Sequence, residues 1–127
     1  MSGWRLEIRP AVRDWLRQIR KEDRQLAWNI AQAIQMVLDA GPGLGRPLVD
    51  SLKGREARRI GLKEMRAEGT LRIAFVFHGG TVLVLLAHGD KRDISSTRFY
   101  RELIAGAVAE YEAWLDENEE GDHDDQA

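Results

Sequence analysis

The stretch Leu71–Arg92, LRIAFVFHGGTVLVLLAHGDKR, decides the fold. Two apolar runs rich in β-branched and aromatic residues flank Gly79 and Gly80, which tolerate the positive φ of a two-residue hairpin turn. The spacing predicts a β-hairpin whose open end is charged, with Arg72 on one strand and Asp90, Lys91 and Arg92 closing the other. Antiparallel pairing sets the start of one strand beside the end of its partner, so Arg72 is expected close to Lys91. Crowded cations are costly unless an anion compensates them, and a phosphate backbone is one such anion.

Outward from the hairpin, "IGLKEMRAE" before it alternates weakly and reads as a further extended segment. "WRLEI" near the N-terminus alternates Trp4, Leu6 and Ile8 with Arg5 and Glu7, as a half-buried strand does. Pro10 then suits the first turn of a helix carrying Val12, Trp15, Leu16 and Ile19. Asp23 can cap a second helix with an apolar stripe from Leu26 to Leu38, stopped by Gly41 and Pro42. "GPGLGRPLVDSLKGREARR" reads as loop with at most a short turn of helix. From Thr97, residues Phe99, Leu103, Ala107, Tyr111 and Trp114 lie at helical spacing. The order β-α-α-β-β-β-α predicts an α+β fold, an antiparallel sheet with one face covered by helices.

The chain has 127 residues, 43% of them hydrophobic and 31% charged, which fits one soluble domain. The domain is expected over residues 1–115, followed by an acidic, disordered tail at 116–127. That tail holds seven acids and no Lys or Arg, whereas residues 46–101 hold 12 basic and 6 acidic residues. A basic body beside an acidic tail suits contact with polyanions, and equally suits a mixed surface with a solubilising tail. There are no cysteines, so disulfides and thiolate metal sites are excluded. No secretion signal and no membrane span is expected, since "VLVLLA" is too short to cross a bilayer.

No familiar catalytic set appears. His78, His88 and His123 lack metal-ligand spacing, and "GPGLGRP" lacks the ending of a phosphate loop. Neither a metal nor a nucleotide cofactor is expected. What remains is a set of cations and one phenol on elements that should be neighbours: Lys63, Arg66, Arg72, Lys91, Arg92 and Tyr100. Taken singly, the arginines have a bland explanation as partners of Glu64, Glu68 or Asp90. Tyr100 has one as a core aromatic, and Arg58 and Arg59 have one as solvated loop residues.

"WRLEIRPAVRDWL", "LGRPLVDSLKG", "LKEMR", "LRIAFVF", "VLVLLAHGDKR" and "FY" occur in the order seen in RelE/ParE-type toxins. Over roughly residues 4–115 the chain resembles the phage Gp49-like, HigB-type branch of these toxins. The resemblance implies a RelE-like fold and a cytoplasmic toxin that cleaves messenger RNA on the ribosome without a cofactor. It also implies neutralisation by a cognate helix-turn-helix antitoxin. It places working roles on Lys63, Arg66, Arg72, Lys91, Arg92 and Tyr100; Arg72, Arg66, Lys91, Lys63 and Tyr100 are expected to be catalytic, and Arg92, with the basic Lys53, Arg58 and Arg59, to contact RNA. Glu64 departs from relatives that carry a second lysine there, and whether Phe99 or Tyr100 faces the site stays open.

The implied chemistry is attack of a ribose 2′-hydroxyl on the neighbouring phosphate. Lys91 or Lys63 is then the candidate base, Arg72 and Arg66 hold the phosphate, and Tyr100 orients the RNA base or assists proton transfer. Two other functions fit the same chain: a ParE-like inhibitor of DNA gyrase, and a non-catalytic module that binds an antitoxin or nucleic acid.

Overall fold

The computed structural model describes residues 3–126, with side chains as far as Glu119. Its elements are β1 (Arg5–Ile8), α1 (Pro10–Glu22), α2 (Arg24–Ala40), a 3-10 turn (Gly41–Gly43), β2 (Val49–Ser51), α3 (Arg55–Ile60), β3 (Lys63–Glu68), β4 (Leu71–His78), β5 (Val82–Asp90) and α4 (Ser96–Gln126). The five strands form one sheet in the order β1-β5-β4-β3-β2. The fold is α+β and RelE-like, as the residues and the resemblance predict.

Local chemistry sets several boundaries. Pro10 occupies the first turn of α1. Asp23 closes α1 and caps α2, its carboxylate accepting the Leu26 N–H at 3.0 Å. The β4–β5 loop holds three residues, Gly79, Gly80 and Thr81, one more than expected, between the paired His78 and Val82; its two glycines take φ of 61° and 75°, values that L side chains rarely adopt.

Two expectations need correction. The sheet is mixed, because β1 pairs with β5 in parallel while the other neighbours are antiparallel. Helices also cover both faces. Val12, Ile30, Ile34 and Val37 of α1 and α2 meet Met65, Ile73, Phe75, Leu83 and Leu85 on one side. Ala57 of α3 and Phe99, Leu103, Ala107 and Trp114 of α4 meet Ala74, Val76, Val84 and Leu86 on the other. Burial on both faces explains why β4 and β5 are continuously apolar instead of alternating.

Irregular pairing then aims the side chains at the charged end. Ala74 pairs with Ala87 but Phe75 with Leu85, so Leu86 is an extra residue bulged out of β5. Beyond that bulge the alternation switches face. His88 turns towards α1 and stacks on Trp15, with ring centroids 4.4 Å apart. Gly89 turns towards α4, where an added Cβ would lie 2.8 Å from Cε1 of Phe99. The missing side chain at Gly89 is what seats Phe99.

The boundary expected at residue 115 does not end the last helix, which runs on through Gln126. Arg9 fastens it to the end of β1: its Nε donates to Glu110 at 2.6 Å and its terminal nitrogens to Glu117 at 2.6 and 3.0 Å. Of the tail expected at 116–127, residues 116–126 continue α4, and Ala127 lies outside the described residues.

Candidate active site

A cleft of about 640 Å³ opens between β2, β3 and the start of α4. Alternation along β3 sends Glu64 and Arg66 to its floor and Lys63 to the opposite face. Lys53 follows β2, Lys91 follows β5, and Tyr100 enters from the first turns of α4; all line the cleft with Arg66 and Glu64.

Glu64 is the hub. It is 3% exposed, the one charged residue among those described that is buried. Tyr100 Oη donates to Glu64 Oε1 at 2.9 Å. The same oxygen lies 3.2 Å from Nε of Arg72 and 3.7 Å from Nε of Arg66. These arginines face each other directly across the β3–β4 ladder. Like charges so paired repel, and the carboxylate between them is the compensating anion. The protein itself therefore supplies the first anion for the cluster at the end of the hairpin.

The compensation is incomplete. Nε of Arg66 and Nε of Arg72 are both buried, yet neither has an aligned hydrogen bond. They feel the Glu64 charge without a well-directed acceptor. Arg72 sits deeper, its side chain 11% exposed and its Nη1 held by the Gly69 carbonyl at 2.7 Å and the Leu71 carbonyl at 3.1 Å. Arg66, 34% exposed, reaches solvent and is also 3.8 Å from Asp50. Lys91 lies over the face of Tyr100, 5.1 Å from the ring centroid.

Five of the nine residues singled out from sequence thus gather at the cleft: Arg66, Lys91, Tyr100 and Lys53 line it, and Arg72 stands behind Glu64. Tyr100 is the one that faces it, while Phe99 is buried. The remaining four lie apart. Lys63 donates to the Pro42 carbonyl at 3.0 Å on the other side of the sheet. Arg59 is tied to Glu56 and Glu112, at 2.8 and 3.2 Å, and braces α3 on α4. Arg58 is exposed on α3, and the exposed Arg92 contributes its backbone N–H to Asp90 at 2.9 Å. Thr70 also donates to Asp90, and these bonds hold its carboxyl below the usual carboxylate range.

Two participants are not among the residues singled out from sequence. Glu64 is findable from the period of β3, which places it on the face of Arg66. Asp50 carries no such signal, because β2 lies inside a segment rich in Gly, Pro and charge. No group of three or more His, Asp or Glu residues that could hold a metal ion occurs among the described residues. No helix among them is long and apolar enough to cross a membrane.

A family model described as "Phage derived protein Gp49-like" matches residues 14–112. The chain is similar to a Mycobacterium tuberculosis protein described as "Putative toxin HigB2", 31% identical over 109 residues, covering 83% of this chain and 51% of that one. It is also similar to "Putative toxin HigB3" of the same organism, 34% identical over 107 residues, covering 84% of this chain and 89% of that one. The chain therefore spans about half the length of the first relative and most of the second.

Proposed function

The chain belongs to the Gp49-like family, in the HigB-type branch of the RelE superfamily, and from that premise we propose that it is the toxin of a toxin–antitoxin system. Its activity is metal-independent cleavage of messenger RNA on the ribosome in the cytoplasm. Its physiological partner is a cognate helix-turn-helix antitoxin. One observation carries the catalytic reading: the buried Glu64 carboxylate stands beside Arg66 at the floor of a cleft that Lys53 and Lys91 also line, with Arg72 behind it. A scissile phosphate is a well-matched ligand for such a floor.

The reaction needs only protein groups. A phosphate entering the cleft meets Arg66 first, since Arg66 is the more exposed arginine and its contact with Glu64 is the longer one. Drawing Arg66 onto the phosphate leaves Glu64 with one cationic neighbour fewer. Glu64 takes the proton of the 2′-hydroxyl as O2′ bonds to phosphorus. Arg66 and Lys53 stabilise the charge that accumulates on the phosphorane. The P–O5′ bond breaks as Lys91 gives a proton to O5′. The products are a 2′,3′-cyclic phosphate and a free 5′-hydroxyl.

Arg72 and Tyr100 act through Glu64, holding its carboxylate in place from both sides. This moves the base from a lysine, as expected from sequence, to Glu64. Lys63 is too well separated from the cleft floor to serve. A positioned acid or base is typically worth about 100- to 10,000-fold in rate.

Primer extension on a defined message tests the proposal, with and without purified ribosomes. Codon-phased breaks that need ribosomes and vanish with Arg66→Ala are expected. Intact message in every lane, from protein whose circular dichroism matches a folded chain, would overturn it.

A further inference from the structure

Lys63 belongs to a second pocket, of about 270 Å³, on the other side of β2. It is lined by Arg46, Asp50, Ser51, Lys63 and the glycine-rich turn at Gly43–Gly45. Asp50 and Ser51 line the catalytic cleft as well, so the two pockets share a wall. That wall is β2, the last strand of the sheet, whose outer edge pairs with no other described strand. The pockets therefore meet around a free edge of the sheet.

The charges on either side of this edge are alike. Arg46 and Lys63 stand on one side, and Lys53, Arg66 and Lys91 on the other. The carboxylate of Asp50 lies between them. It accepts the Ser51 N–H at 3.0 Å and lies 3.3 Å from Arg46 and 3.8 Å from Arg66. Arg46 is 71% exposed, so its ion pair is weak and free to exchange. Lys63 uses one of its three donors on the Pro42 carbonyl and keeps the others. A Cβ at Gly43 or Gly45 would meet nothing within 4 Å, so a ligand can approach the turn backbone closely.

We infer that this second pocket is a subsite for the sugar–phosphate backbone of the RNA strand, holding a phosphate that flanks the one in the cleft. The inference rests on the proposed function. One small anion can fill one pocket only, whereas a single strand with a phosphate at every nucleotide can pass around the β2 edge and occupy both. Contacts of this kind set position and affinity without reading sequence.

The test is fluorescence anisotropy on the full chain with single-stranded RNA methylated at every 2′-oxygen, which cannot be cut. A trinucleotide and a nonanucleotide are compared for the wild type, Lys63→Ala, Arg46→Ala, Lys63→Arg and the cleft variant Lys91→Ala. The nonanucleotide is expected to bind the wild type more tightly than the trinucleotide. Lys63→Ala and Arg46→Ala should each weaken nonanucleotide binding about three- to tenfold at low salt and leave the trinucleotide unaffected. The salt dependence of log K should flatten by about 0.7 for each phosphate that the variant no longer neutralises. Lys63→Arg should restore the affinity, and Lys91→Ala should weaken both ligands. If Lys91→Ala weakens both while Lys63→Ala and Arg46→Ala weaken neither, the subsite is refuted and the cleft stands. If the wild type binds neither RNA, or Lys91→Ala changes nothing, the subsite is refuted, while the ribosome-dependent cleavage stands or falls by the primer extension.

Discussion

Glu64→Gln keeps the shape of the side chain and an oxygen to accept the Tyr100 hydroxyl, but deletes the charge that separates two arginines. Arg72 is affected most, being 11% exposed and 3.2 Å from Glu64. Removing one partner of a buried ion pair typically costs about 3–5 kcal/mol. Arg72 keeps hydrogen bonds to the Gly69 and Leu71 carbonyls, which lowers the expectation to about 2–3 kcal/mol. In a domain of this size that corresponds to a fall of about 10 °C in Tm. Thermal unfolding followed by circular dichroism at neutral pH measures it. Adding Arg72→Met to Glu64→Gln should recover at least about 1 kcal/mol relative to the sum of the single changes, because the orphaned cation is gone. A Tm within about 2 °C of the wild type for Glu64→Gln would refute the hub, since a charge that compensates two cations cannot be removed without cost.

Other outcomes follow from the same contacts. Gly89→Ala should push a Cβ into the Phe99 ring, destabilise by about 1–3 kcal/mol and displace Tyr100, which a urea titration and the near-ultraviolet spectrum detect. Arg9→Ala should release the C-terminal part of α4 from β1, cost about 1–2 kcal/mol and raise amide exchange there, while exchange in β4 stays slow. Burial holds the imidazole of His88 below its usual value, so the unfolded chain takes up a proton there more readily than the folded one. Its contribution is fully present above about pH 6.5 and is lost as pH falls through the lower folded value; urea midpoints from pH 7.5 to 5 should show the loss, and His88→Gln should remove it.

The hairpin, both N-terminal helices, the Asp23 cap and the long last helix were legible because each rests on local chemistry: turn glycines, apolar period, a capping carboxylate. The parallel pairing of β1 with β5 was not, since nothing within "WRLEI" distinguishes an edge beside β5 from any other edge. Strand β2 was hidden for a related reason. Three residues at a sheet edge, between Gly- and Pro-rich turns, carry no period of their own.

At the site, counting cations pointed to the end of the hairpin where the cleft opens but overlooked the strand period, which separates Lys63 from Arg66 and joins Arg66 to Glu64. The Leu86 bulge was equally invisible. It depends on pairing between strands, and it decides that Gly89 receives Phe99 and leaves Tyr100 for the cleft.

Whether the groups around Glu64 cut RNA is tested most directly by the single-turnover rate of cleavage of ribosome-bound message at saturating protein. The rate is measured for the wild type, Glu64→Gln, Arg66→Ala, Lys91→Ala and the control Arg17→Ala, exposed on α1 at the opposite face of the sheet. The structure predicts losses of about 100-fold or more for each of the first three variants, from folded protein, and an unchanged rate for the control. Rates for Glu64→Gln, Arg66→Ala and Lys91→Ala equal to the wild type would contradict it and place the chemistry elsewhere on the molecule.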